Sequence, residues 1–324
     1  MKWLAVGVGA ACMAFVNCAG PVRAQEWPSK PVRVIAPFAA GGAADRLGRI
    51  IAAGLAKSFN KPFFIDNRPG GNGIVGSARA ALAEPDGYTL LIAGSGPHLT
   101  SPAVDPNIVY DPLHDFTHIA MIGGDTFVLV ASPALGVKSL ADLIALGKRS
   151  GKPISYGAPG NASPPTFIME QFKRRAGIDL VQVPYRGGGN AAMDIVDNYV
   201  STALLPFLTI GNAVRGGTVV PLAVTSAERN PAFKDIPTFA ELGYPDVRGY
   251  TWFWLSGPKN LPYDIVQKLN REVRRILKSP EVKAQFEKQA LLTMDLDVPA
   301  LNKLLADEVA QWAAIAKQSG VRVQ

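Results

Sequence analysis

The residues of this 324-residue chain whose types and spacing suit chemistry are mostly glycines and small polar side chains placed just after apolar runs. Phe38, Ala39, Ala40, Gly41 and Gly42 follow the run 32–36 and lead into a helical pattern with Asp45 in its first turn. Gly160, Asn161, Ala162, Ser163 and Thr166 follow the run 154–156, and Ser163-Pro164 fits the N-cap and first position of a helix. Arg186, Gly187 and Gly188 follow the run 180–183. The first N–H groups of a helix lack intrahelical partners and lie at the positive end of its dipole, so strand, glycine turn and helix start together form a device that receives an anion. Ser95 and Gly96, after the run 88–93, can aim a hydroxyl and N–H groups at the same place. Arg186 either clamps a carboxylate or points to solvent. Asp45 either steadies its own helix start or faces a donor on the ligand.

Other chemistries have thinner support. Both cysteines, Cys12 and Cys18, fall in the N-terminal 24 residues, so the rest of the chain has no thiol and no disulfide. Gly71-Asn-Gly73-Ile-Val-Gly76 matches G-x-G-x-x-G, but the acid a dinucleotide site needs about 20 residues on is missing, and Gly76 reads as a close-packing position. His114 and His118 have the i, i+4 spacing of a zinc pair but lie in a loop-like setting without a third ligand. His98, after Ser95-Gly-Pro, is the only base a hydrolase reading offers, and no G-x-S-x-G elbow accompanies it.

The elements that must hold these loops alternate. Strands are expected over 32–36, 63–65, 88–93, 127–131, 154–156, 180–183, 202–205, 219–225 and 252–256. Helices are expected over 43–59, 74–83, 139–148, 163–175 and 190–196, with a short one opened by the capping box Thr238-Phe-Ala-Glu241. Long helices close the chain over 263–278, 280–289 and 299–318. Strand–helix alternation implies an α/β fold with a mostly parallel sheet, and two such runs imply two lobes with a cleft between them.

Residues 1–24 carry a secretory signal pattern: Lys2, an apolar stretch over 4–16, and Val22-Arg23-Ala24 before a cut. The apolar stretch is shorter than the ~20 residues of a membrane span. The residues before Cys18 fit a lipidation box poorly. The chain has 33 basic and 26 acidic residues. Without Lys2 and Arg23 the balance is 31 against 26, a net +5. The basic clusters at 173–175 and 271–278 fall on amphipathic helices, which argues against nucleic acid and suits an anionic small ligand.

Several stretches, in this order, match one family: WPSKPVRVIAPFAAGGAADRLGR, FIDNRPGGNGIVG, EPDGYTLLIA, YGAPGNASPP, VPYRGGG, LAVTSAERNPAF and IPTFAELGYPD. From about Trp27 to its end the chain resembles the substrate-binding proteins of tripartite tricarboxylate transporters, the TctC or Bug family of periplasmic receptors. The resemblance implies a two-lobed type 2 periplasmic binding protein (a Venus flytrap). Lobe 1 would be 25–125 plus 227–324 and lobe 2 126–226, joined by two crossovers. It implies a monomer without a cofactor or metal, binding a di- or tricarboxylate, an acidic amino acid or an aromatic acid, and serving an inner-membrane permease. The carboxylate is expected on the helix starts near residues 41–42 and 161–163. Thr166 stands where many members have His, and Asn198 where Gly is common. The competing expectation is a periplasmic hydrolase on the same bilobal fold.

Overall fold

The computed structural model describes residues 26–289 and 291–319. The signal-peptide reading of 1–24, with Cys12 and Cys18, lies outside the described residues. The chain alternates β1 (Val32–Ala36), α1 (Ala43–Phe59), β2 (Phe63–Asn67), α2 (Ile74–Ala81), β3 (Thr89–Gly94), β4 (Phe116–Ala131), α3 (Leu140–Ser150), β5 (Ile154–Ala158), α4 (Pro164–Ala176), β6 (Leu180–Pro184), α5 (Gly188–Val196), β7 (Thr202–Pro206), α6 (Phe207–Arg215), β8 (Val220–Val224), β9 (Tyr250–Pro258), α7 (Tyr263–Leu277), α8 (Pro280–Lys288) and α9 (Val298–Ser319).

The strands form one mixed path, β2-β1-β3-β9-β4-β7-β5-β6, with β8 also on β4. Pairs within each βαβ run are parallel, β1 with β2 and β3, β5 with β6 and β7. The pairs made by β4 and β9 are antiparallel, because these strands carry the chain between the two runs. Over 116–126, β4 pairs with β9; from Phe127 on it pairs with β7 and β8. One strand thus belongs to both halves, and its partners change between Thr126 and Phe127. The second passage between halves, from Thr225 to Tyr250, meets the first there. The Thr225 hydroxyl accepts from Phe127 N (3.1 Å) and donates to Gly249 O (2.7 Å).

Both faces of each half are covered, which is why the strands read as continuous apolar runs. In the first half, Leu47, Ile51 and Leu55 on one stripe of α1 join Leu269 and Val273 of α7 against Val34 and Ile92. The alternate residues Ile35 and Leu91 face the other way, onto Leu301, Leu305 and Trp312 of α9. In the second half, Leu143, Ile168 and Phe172 of α3 and α4 cover one face, and Ala191, Ile195 and Ile210 of α5 and α6 the other.

Some local expectations change. β4 begins at Phe116 rather than 127. Helix α6 starts directly from Pro206, where no helix was expected. The Thr238–Glu241 box forms both of its bonds, Glu241 N to Thr238 Oγ1 (3.0 Å) and Thr238 N to Glu241 Oε2 (2.9 Å). It closes a turn instead of a helix, because the chain reverses at Gly243 with φ +90°. Residues Gly96–Thr100, just after β3, wind as one π-helical turn. Among the described residues no helix is long and apolar enough to cross a membrane.

Gly76 is a close-packing position. A Cβ there would lie 2.8 Å from both Arg68 O and Pro37 Cα, which are backbone atoms that cannot swing aside. Gly76→Ala is expected to lose about 1–3 kcal/mol of stability through overpacking, partly offset by better helix propensity; chemical denaturation measures it.

Candidate functional site

Four helices begin at the cleft between the halves: α1, α4, α5 and α6. Each start leaves N–H groups without intrahelical partners, and the chain treats them differently. In α4 the first two helical residues are Pro164 and Pro165, which have no N–H, and Thr166 N donates to Ser163 O (2.9 Å). In α6, Leu208 N donates to Asp125 Oδ2 (2.7 Å). At these two starts the first helical donors are removed or taken, while the N–H groups of Asn161, Ala162 and Ser163, just ahead of α4, stay unpaired. In α1 the first intrahelical bond is Arg46 N to Gly42 O, so the N–H groups of Ala43 and Ala44 remain open to the cleft. In α5 the first two residues, Gly188 and Gly189, likewise lack intrahelical partners for their N–H groups, and Gly188 lines the cavity between the halves. The donors of the expected jaw at 161–163 therefore come from the loop ahead of α4 and not from the helix itself, and α5 adds a further open start. The two open starts approach closely: a Cβ on Gly189 would lie 3.8 Å from Gly42 N, and one on Gly187 3.6 Å from Ala39 N.

A cavity of about 60 Å³ lies here, lined by residues that include Phe38, Gly42, Ala43, Ala44, Asn72, Ser95, Gly96, Ser163, Gly188 and Thr209. Its walls are otherwise Phe127, Phe253, Thr251 and the prolines 159, 164, 165 and 206. None of the lining residues is charged. The halves touch around it. Thr100 Oγ1 donates to Ala162 O (2.5 Å), and a Cβ on Gly160 would sit 2.6 Å from Asn72 Oδ1. Gly160 also has φ +111°, so both space and backbone require glycine.

Asp45 faces inward. Its Oδ2 accepts from Gly41 N (3.0 Å) and Arg49 Nε (3.1 Å), and its Oδ1 from Asn67 Nδ2 (3.1 Å) and Arg49 Nη2 (2.8 Å). Burial pushes this carboxyl up, but the bonds from Arg49, Gly41 and Asn67 outweigh it and hold it below its ordinary value. Asp45 thus shapes the loop and takes the Gly41 N–H for itself. Thr166 plays a similar part, donating to Gly160 O (3.0 Å) and accepting from Gln182 Nε2 (2.9 Å).

The sequence profile described as the tripartite tricarboxylate transporter family receptor (TctC) matches residues 47–321. The chain belongs to this receptor family. It is 31% identical to protein BugT of Bordetella pertussis over 313 residues, 96% of each chain. Its fold is similar to that of R. palustris Rpa4515, a structure with adipate, at TM-score 0.88 and 31% identity over 92% of this chain and 99% of the other. MatC from Rhodopseudomonas palustris with bound malate gives TM-score 0.84 at 28% identity over 89% and 99%. The two-lobed α/β fold is that of periplasmic binding proteins.

Of the residues expected at the TctC receptor's site, Phe38, Gly42, Ser95, Gly96, Ser163 and Gly188 line the cavity. Ala39, Ala40, Gly41, Gly160, Ala162 and Gly187 support or flank it, while Asn161 and Arg186 are exposed and do not line it. Asn72 and Thr209 were missed. Asn72 lay hidden inside the G-x-G-x-x-G stretch, where it takes φ +52°, and Thr209 in a helix that sequence reading passed over. The hydrolase candidate does not assemble. Ser95 Oγ accepts from Trp252 N (2.8 Å), and His98 is buried among Tyr110, Phe116 and Trp254 with neither ring nitrogen hydrogen-bonded. Burial, then the neighbouring His118, lowers His98 to about 3. His118 accepts from Trp254 Nε1 at Nδ1 (3.1 Å), so its proton is on Nε2, facing Pro112 O (3.1 Å). His114 pairs with Asp111 on the surface. Among the described residues no cluster of three or more His, Cys, Asp or Glu could hold a metal.

Asp125 sits on the receptor's crossing strand, fully buried, with Oδ1 unpartnered. Burial raises its carboxyl to about 7 against the opposing pull of the N–H groups of Leu208, Thr126 and Phe207. Between about pH 4 and 7 the unfolded chain has lost this proton and the folded one retains it, so stability falls as pH rises. Asp125→Asn should abolish that component, up to about 1.4 kcal/mol per pH unit. Urea denaturation of both proteins at pH 5 and 7 checks it.

Proposed function

We propose that the protein is a periplasmic solute-binding receptor that captures a small carboxylate by closing its lobes, with the α1 and α5 starts as the two jaws. The observation that carries this reading is a pair of open helix starts, α1 and α5, that meet at one cavity from opposite halves. Adipate and malate in the two similar structures support a carboxylate. The lobes would be 25–125 plus 227–324 and 126–226, with export by residues 1–24, a cut after Ala24, and delivery by the monomer to an inner-membrane permease.

The cavity's chemistry narrows the ligand. A carboxylate among N–H groups of two dipoles gains charge-assisted bonds without a cation. The absence of Lys, Arg and His from the lining argues against an uncompensated second or third charge buried there. Cleft closure follows from the same geometry, because the α1 and α5 donors meet one carboxylate only when the halves touch. The hydrolase reading has no assembled nucleophile and base to stand on.

Proline is well tolerated at the first position of a helix, and it removes one N–H. Ala43→Pro should therefore leave the ligand-free melting temperature nearly unchanged. It should weaken carboxylate binding by about 10- to 100-fold, the value of a hydrogen bond to a charged group. Calorimetric titration with adipate, malate and related acids measures it, and unchanged affinity in the variant would remove α1 from the clamp.

A further inference from the structure

Thr209 lines the cavity from the first turn of α6. Its Oγ1 is shielded from solvent and has no hydrogen-bond partner. This is unusual, because a helical threonine can donate to a carbonyl three or four residues back, and a buried hydroxyl without a partner is costly. Three other polar side chains at the cavity are engaged, and Thr251 Oγ1, unlike Thr209 Oγ1, is not both shielded from solvent and without a partner. Ser95 Oγ holds Trp252 N, Ser163 Oγ lies against Gly160 O (3.3 Å) and Thr166 Oγ1 (3.2 Å), and Asn72 Nδ2 donates to Ser101 Oγ (2.8 Å). Thr209 is also next to an open jaw: a Cβ on Gly188 would lie 3.4 Å from its Oγ1.

We infer that Thr209 is the specificity-determining residue of this cleft, and that its hydroxyl receives a hydroxyl on the carbon beside the ligand carboxylate. The preferred ligands are therefore 2-hydroxycarboxylates. The inference rests on the proposed carboxylate site. A carboxylate on the Gly188 and Gly189 N–H groups brings the substituent of its neighbouring carbon toward Thr209. That substituent must be neutral. The α6 start beside Thr209 already gives Leu208 N to Asp125, so it has one donor fewer for a second carboxylate. A hydroxyl meets Thr209 as donor or acceptor without charge. An apolar ligand would leave Oγ1 unpaired, and sites built around a hydrogen bond to a substrate hydroxyl reject analogues that lack it.

The test compares ligand pairs that differ by this hydroxyl, malate with succinate and lactate with propionate. Wild type, Thr209→Val and Thr209→Ser are titrated calorimetrically with each. Wild type should prefer the hydroxylated member by tenfold or more. Thr209→Val, close in shape, should lose that preference while its affinity for the member lacking the hydroxyl stays within threefold of wild type. Thr209→Ser should keep most of the preference. An equal preference in wild type and Thr209→Val overturns the inference and leaves a buried water as the partner of Thr209. Failure of wild type to bind any of the four acids, or adipate, overturns the carboxylate reading itself, and a wild type that binds adipate but none of the four overturns the inference alone.

Discussion

A helix cannot pair its first N–H groups with itself, and this receptor is built around where four such sets of donors go. At α4 proline removes two of them. At α6 a buried aspartate takes one. At α1 and α5 they are left open on facing halves of the molecule. In the proposed clamp, binding strength comes from backbone dipoles held in place by packing, so the side chains that matter most are the supports. Asp45 fixes the first loop, and Thr166 with Gln182 fixes the carbonyl of Gly160. Such a site can bind anions tightly with no cation in it, and its selectivity passes to the few side chains that reach the cavity.

The jaws can face each other because one strand serves two sheets. β4 pairs with β9 up to Thr126 and with β7 and β8 from Phe127, and Thr225 ties the second crossing to the same point through Phe127 and Gly249. Asp125, one residue before the change of partners, links this crossing to the start of α6. The crossing strand, α6 and the cavity are thus connected: the carboxylate that takes the Leu208 N–H sits one residue before β4 changes partners. Phe127, the first residue beyond the crossing, also lines the cavity.

Much of the fold was legible because strands covered on both faces appear as uninterrupted apolar runs between helical stripes. What escaped had physical reasons. The first part of β4 is broken up by His118, Gly123 and Gly124, and its pairing with β9 is bulged. Helix α6 starts from Pro206 with no side-chain cap and carries Gly211. The Thr238 box shows that a correct cap signal makes its bonds and still needs a chain able to continue as a helix. At the site, the strand–glycine–helix device reads at 41–42, 160–166 and 186–188, and one residue of each, Gly42, Ser163 and Gly188, lines the same cavity. Pro164-Pro165 has no N–H to offer, so at α4 only the residues ahead of the helix can donate. Thr209 could not be read in advance, because its place beside Gly188 depends on two helices from different parts of the chain.

The central claim is that the anion is held by the starts of α1 and α5 and not by that of α4. Amide resonances report this directly. In a titration of the isotope-labelled protein with a carboxylate that binds, the account predicts large downfield amide proton shifts at Ala43, Ala44, Gly188 and Gly189, with Thr166 shifting little. A large shift at Thr166 with Gly188 and Gly189 unmoved would contradict it.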